Sequence, residues 1–210
     1  MIHSDMIAII CAAAPVIPVL TIDRFEDAQP LARALVAGGL PALEITLRTD
    51  VALEAIAAIA EVEGAMAGVG TLLTPAQVRD AKAAGAIFGV SPGATPSLIA
   101  AALEFDLPLL PGAATATEAM RLLEEGFIFQ KFFPAESSGG APALGSMVGP
   151  LPQITFCPTG GVTPENAETY LALPNTLCVG GSWIAPKALV AAGAWGEITQ
   201  IARRAADLLR

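Results

Sequence analysis

A chain of 210 residues with a net charge of −9 is large enough for one full core, and too acidic to hold nucleic acid through basic phosphate contacts. It is 54% hydrophobic with a mean hydropathy of +0.62, yet its most apolar stretch, Met6 to Leu20, is broken by Pro15 and Pro18 and falls short of the roughly 18–20 residues a spanning helix needs. That stretch lacks the basic start of a secretion signal, and Cys11, Cys157 and Cys178 have no metal-ligand spacing, so the sequence predicts no membrane partner, a reducing cytoplasm and thiols that behave as small apolar side chains.

In chain order, Ser4 or Asp5 is predicted to cap a short helix ahead of the first strand, and His3, the sole histidine, falls in the tail as a bystander. Apolar runs then begin near Val16, Pro41, Ala65, Ala86, Pro108, Phe127, Gln153 and Thr176, alternating with alanine-rich helical stretches. Thr74-Pro75, Thr95-Pro96 and Thr163-Pro164 each put an N-cap residue before a proline at the first helical position. Ala37-Gly38, Ala84-Gly85 and Glu125-Gly126 put glycine just past a last helical turn. Repeated βα units over residues 1–210, with no linker between them, predict one domain and an α/β fold: a (β/α)₈ (TIM) barrel with a short N-terminal helix before the first strand. An open doubly wound sheet is the alternative, but its Gly-rich turn belongs after the first strand, and here the glycines gather late.

Barrel geometry gives meaning to the charges. The second strand, Pro41 to Arg48, alternates so that Glu44, Thr46 and Arg48 share one face, toward the barrel axis near its catalytic mouth, and Leu43, Ile45 and Leu47 the other, against the helices. With no usable histidine, Glu44 leads as general base, against a purely structural reading as an ion pair with Arg48. The third and fourth strands end in Gly68-Val69-Gly70-Thr71 and Ser91-Pro92-Gly93, which offer hydroxyl and backbone donors to a carboxylate, as ordinary tight turns also do. The sixth strand, Gly126 to Pro134, sets Lys131 among Phe127, Phe129, Phe132 and Phe133, on the inward face with Phe129 and Phe133. Desolvation favours the neutral amine, the form that attacks a carbonyl; the structural alternative is a lysine that snorkels or pairs. After the seventh and eighth strands come Gly160-Gly161 and Gly180-Gly181-Ser182, where barrels commonly hold phosphate on backbone N–H groups.

Six motifs, in order along nearly the whole chain, resemble the 2-keto-3-deoxy-6-phosphogluconate (KDPG) aldolases: Leu43-Glu44-Ile45-Thr46-Leu47-Arg48-Thr49, Gly68-Val69-Gly70-Thr71, Ser91-Pro92-Gly93, Lys131-Phe132-Phe133-Pro134-Ala135-Glu136, Phe156-Cys157-Pro158-Thr159-Gly160-Gly161 and Val179-Gly180-Gly181-Ser182-Trp183. The resemblance implies a class I aldolase on a (β/α)₈ barrel, a cytoplasmic homotrimer of the Entner–Doudoroff pathway that cleaves a phosphorylated keto-sugar acid to pyruvate and glyceraldehyde 3-phosphate, with 4-hydroxy-2-oxoglutarate as a side substrate. It implies Lys131 as imine-forming residue and Glu44 as acid–base. Arg48 and Thr71 would hold the pyruvate carboxylate, Pro92 and Phe133 line the pyruvyl end, Gly160, Gly161, Gly181 and Ser182 hold phosphate, and Thr159 reads the hydroxyl at the cleaved bond. No cofactor or metal is expected. The phosphogalactonate aldolases resemble the chain less around Thr159. Two other readings of the same pocket are a phosphate-binding isomerase or synthase without covalent chemistry, and a non-catalytic sugar-phosphate sensor.

Overall fold

In a computed structural model, residues 2–208 are described, Ile2 and His3 by backbone alone, so the side chain of His3 lies outside the described residues. The chain runs α1 (Ile2–Ala12), β1 (Val16–Leu20), α2 (Ala28–Ala37), β2 (Ala42–Thr46), α3 (Ala52–Ala60), β3 (Met66–Gly70), α4 (Pro75–Ala83), β4 (Phe88–Val90) and α5 (Pro96–Glu104). It continues through β5 (Leu109–Leu110), β6 (Gly112–Ala113), α6 (Ala116–Glu124), β7 (Phe129–Phe132), α7 (Gly140–Gly145), β8 (Thr155–Pro158), α8 (Ala167–Leu171), β9 (Val179–Gly181), α9 (Lys187–Ala191) and α10 (Trp195–Ala206).

Every ladder is parallel. One sheet runs β5-β4-β3-β2-β1-β9 and the other β6-β7-β8. The two join twice. Between β5 and β6 stands Pro111, which has no N–H for the ladder but whose carbonyl accepts from Lys131 N at 2.8 Å, so these two strands are halves of the fifth predicted one. On the other side, isolated bridges Phe156↔Thr176 and Thr159↔Gly180 connect β8 to β9. The sheet thereby closes into the predicted eight-stave barrel.

Its core has two shells. Outside the staves, Leu43, Ile45, Val69, Leu109 and Phe132 pack against the helices, as the alternation of the second strand predicts. Inside, Ile17, Ala42, Phe88, Val90, Leu110, Cys157 and Cys178 meet Ile7, Ile10 and Cys11 of α1. Ala42 and Phe88 open their strands, so α1 stops the amino end of the barrel and leaves the carboxyl end free for polar side chains. The three thiols are buried and unbridged, and contact with Cys11 and Cys157, together with burial, pushes the Cys178 thiol well above its usual range. Among the described residues, no helix is long and apolar enough to cross a membrane.

Local signals land unevenly. Thr74 and Thr95 cap α4 and α5 with their hydroxyls, and Thr74 with Gln77 forms a complete capping box. Thr163-Pro164 opens a turn instead, in which Thr163 O accepts from Asn166 N at 3.3 Å and Ala167 N at 3.0 Å, and α8 begins only at Ala167. Helix α1 already runs from Ile2, which puts Ser4 and Asp5 inside its first turn instead of at its cap. After α2 it is Gly39, with φ +89°, that takes the left-handed conformation; Gly38 is right-handed, and a Cβ on it would stand 2.3 Å from Ala202 Cβ of α10.

Candidate active site

Two charged side chains meet where the barrel interior turns polar. Lys131, on β7, and Glu44, on β2, are 5% and 3% exposed, and Lys131 Nζ donates to Glu44 Oε1 at 3.3 Å. Glu44 thus pairs with Lys131; the alternative pairing with Arg48 is not formed. Desolvating two charges offsets most of their attraction, so such a pair adds little net stability and points to chemistry. The Phe133 ring lies 5.1 Å from Nζ and walls one side. Gly70, facing β2, makes the space: a Cβ there would sit 2.3 Å from Glu44 Oε1. Gly68 does the same for the Phe88 ring one layer below, at 2.2 Å. These steric roles are not readable without the register Glu44↔Gly68 and Thr46↔Gly70.

The other predicted residues lie at the carboxyl ends of strands or in the turns that follow them. Thr46 is fully buried and spends its hydroxyl on Leu20 O at 2.8 Å, with Thr21 Oγ1 at 3.2 Å. Arg48 lies past the end of β2, where its backbone N–H donates to Thr46 O; its side chain is exposed and makes no hydrogen bond or ion pair among the described residues. Thr71 follows β3 with φ 63°, a left-handed backbone that costs a non-glycine residue about 1–3 kcal/mol and is typical of functional positions. Ser91 is fully buried with an unpartnered hydroxyl, and Pro92 beside it is half-buried. Gly112 keeps that turn close, since a Cβ on it would stand 2.3 Å from Pro92 O.

Thr159, 6% exposed, ends the β8 stave with its hydroxyl 3.4 Å from Cys157 O, and Gly180 gives it room, a Cβ there falling 2.3 Å from Thr159 Oγ1. Gly160 and Gly161 follow with φ +96° and +81°, conformations that favour glycine. Gly181 lies under the Trp183 ring, and Ser182 is exposed. The N–H groups of Gly160, Gly161, Val162 and Ser182 donate to no group among the described residues. Unpaired N–H groups after two neighbouring strands are the kind of donor that binds an anion.

Three residues bear on this turn without having been singled out in the sequence. Glu136 lies with its Cβ and Cγ 2.6 Å from where a Cβ on Gly161 would stand, Tyr170 donates a hydrogen bond to Glu136 Oε1, and Asn166 Nδ2 donates to Gly161 O at 3.1 Å. Glu136 belongs to the Lys131 motif, but nothing in its spacing points to Tyr170.

The chain is similar to known proteins over nearly its whole length. The KDPG and KHG aldolase family matches residues 7–201. The KHG/KDPG aldolase of Escherichia coli (strain K12) is 48% identical over 94% of this chain and 93% of its own length. The crystal structure of the 2-keto-3-deoxy-6-phosphogluconate aldolase of Zymomonas mobilis ZM4 with 3-phosphoglycerate superposes with a TM-score of 0.93 at 47% identity, covering 99% of this chain and 98% of that one. A KDPG aldolase from Legionella pneumophila, with pyruvate captured as a covalent carbinolamine intermediate, superposes with a TM-score of 0.91 at 46% identity, covering 94% and 97%.

Proposed function

Because this chain belongs to the KDPG and KHG aldolase family, we propose that it cleaves KDPG to pyruvate and glyceraldehyde 3-phosphate through a Schiff base on Lys131, with Glu44 moving the protons. The observation that carries the assignment is the buried Lys131–Glu44 contact at the open end of the barrel. A lysine proton passed across that 3.3 Å contact leaves a neutral amine, which adds to the C2 keto carbon. Loss of water from the carbinolamine gives the imine, and C3–C4 cleavage then sends its electron pair into that imine. The carboxylate of Glu44 takes the C4 hydroxyl proton, directly or through a water, as the C4 carbonyl forms. Glyceraldehyde 3-phosphate leaves, the enamine regains a proton at C3 from Glu44, and hydrolysis releases pyruvate and the amine.

Arg48, whose guanidinium has no protein partner among the described residues, and Thr71 hold the pyruvate carboxylate; Pro92 and Phe133 line the pyruvyl end. Thr159 reads the hydroxyl at the cleaved bond. The turns at Gly160, Gly161, Gly181 and Ser182, with the unpaired N–H groups of Gly160, Gly161, Val162 and Ser182, take the phosphate; the Zymomonas mobilis relative carries a phosphate ester, 3-phosphoglycerate, in its crystal structure. Phosphate-free 4-hydroxy-2-oxoglutarate is cleaved by the same steps to pyruvate and glyoxylate. The working form is a single-domain subunit in a cytoplasmic homotrimer: Leu103 on α5 and Met120 on α6 stand more than half exposed, and a subunit contact would take them out of water.

Incubation with pyruvate and borohydride should fix one pyruvyl group on Lys131, located by peptide mass mapping, and Lys131→Ala should take none. A label on any other residue, or an unlabelled active enzyme, would refute the assignment and return the pocket to non-covalent chemistry or ligand sensing.

A further inference from the structure

The Gly160-Gly161 turn is held from behind by groups that the cleavage chemistry never uses. Gly160 O accepts from Glu136 N at 3.0 Å, and Gly161 O accepts from Asn166 Nδ2 at 3.1 Å. In a trans peptide the carbonyl and the N–H point opposite ways, so tying these two carbonyls turns the Gly161 and Val162 N–H groups to the other side, where they remain unpaired among the described residues. Asn166 is itself fixed, since its Oδ1 accepts from Thr163 N at 2.8 Å. The stem of Glu136 lies flat on Gly161, and its Oε1 is engaged by the hydroxyl of Tyr170, which is completely buried on α8. Burial, then the Glu136 carboxylate, pushes that phenol well above its usual range, so it stays a donor throughout the working pH range. A carboxylate oxygen engaged by Tyr170 is held away from the N–H groups of the turn and does not compete for them.

We propose that Glu136, held by Tyr170, and Asn166 are positioning residues that present the Gly160-Gly161 turn to the phosphate of the substrate. That role rests on the turn receiving phosphate, as proposed above. It predicts a loss confined to the phosphorylated end of the substrate, which general damage to the barrel would not produce.

The test compares KDPG with 4-hydroxy-2-oxoglutarate, which reacts by the same chemistry and carries no phosphate. Tyr170→Phe keeps the ring and removes the hydroxyl; Asn166→Ala removes the second tie, and it decides the matter alone if Tyr170→Phe does not fold. In each variant KM for KDPG should rise about tenfold, the usual order for one hydrogen bond lost from the turn to the charged phosphate, while kcat/KM for 4-hydroxy-2-oxoglutarate changes less than about twofold. Equal losses on both substrates, or an unchanged KM for KDPG, would overturn the positioning role. Inorganic phosphate should inhibit the unaltered enzyme competitively against KDPG; if it does not, the phosphate reading of the turn fails first and the positioning role falls with it.

Discussion

Glu44 and Lys131 are 87 residues apart in sequence and 3.3 Å apart in space. Each was marked by the sequence as a charge on the inward face of a strand, because side chains on a strand alternate strictly. Their contact was not, because nothing local links β2 to β7. The proposed division of labour predicts separable losses. Glu44→Gln keeps the shape of the side chain but removes the base, so kcat should fall by about 10²–10⁴ while borohydride still traps pyruvate on Lys131, more slowly. Near-normal turnover would remove Glu44 from proton transfer. Arg48 shows the limit of strand parity: the alternation was extended two residues beyond the end of β2, into a turn where the backbone has left the ladder and the side chain stands in water.

At the scale of the element, capping signals were reliable where the helix could begin at once. Thr115 and Glu118 form a capping box on α6 like that of Thr74 and Gln77 on α4. Thr115→Ala should lower stability by about 1 kcal/mol in denaturant titration, since it strands a backbone N–H of the first turn. Glu118 adds a pH signature. Its carboxyl is held below the usual value of 4.5, chiefly by the hydrogen bond from Ala114 N–H. A carboxyl lowered on folding stabilises above its unfolded value, and that contribution disappears as pH falls through the folded one. The denaturation midpoint should therefore drop further in the unaltered protein than in Glu118→Gln as pH is taken below 4.5; parallel profiles would contradict it. Thr163-Pro164 carries the same residues as Thr74-Pro75, and in both the threonine N–H donates to the side chain three residues on, Asn166 or Gln77; but Asn166 also ties Gly161 O, and α8 begins only after it.

The whole molecule explains why the site sits at one end. Helix α1 fills the amino end of the barrel with Ile7 and Ile10, leaving the carboxyl end for Glu44, Lys131 and the glycine turns. The proposed trimer would take the exposed apolar side chains of α5 and α6 out of water, so sedimentation equilibrium should give three times the 21.3 kDa chain mass; a monomer at assay concentrations would rule the trimer out.

The sequence by itself determined the alternating strands and helices, the closed barrel they imply, the inward faces and the late glycines, because periodicity, caps and turn residues act within a few positions of the chain. The family resemblance rested on the same short motifs. Only the tertiary structure decided that Glu44 pairs with Lys131 instead of Arg48, that Gly70 exists to admit the Glu44 carboxylate, and that Tyr170 reaches Glu136 behind the Gly160-Gly161 turn. Those contacts join separate staves of a closed sheet, and which side chains meet across it depends on register and packing, which local chemistry does not encode.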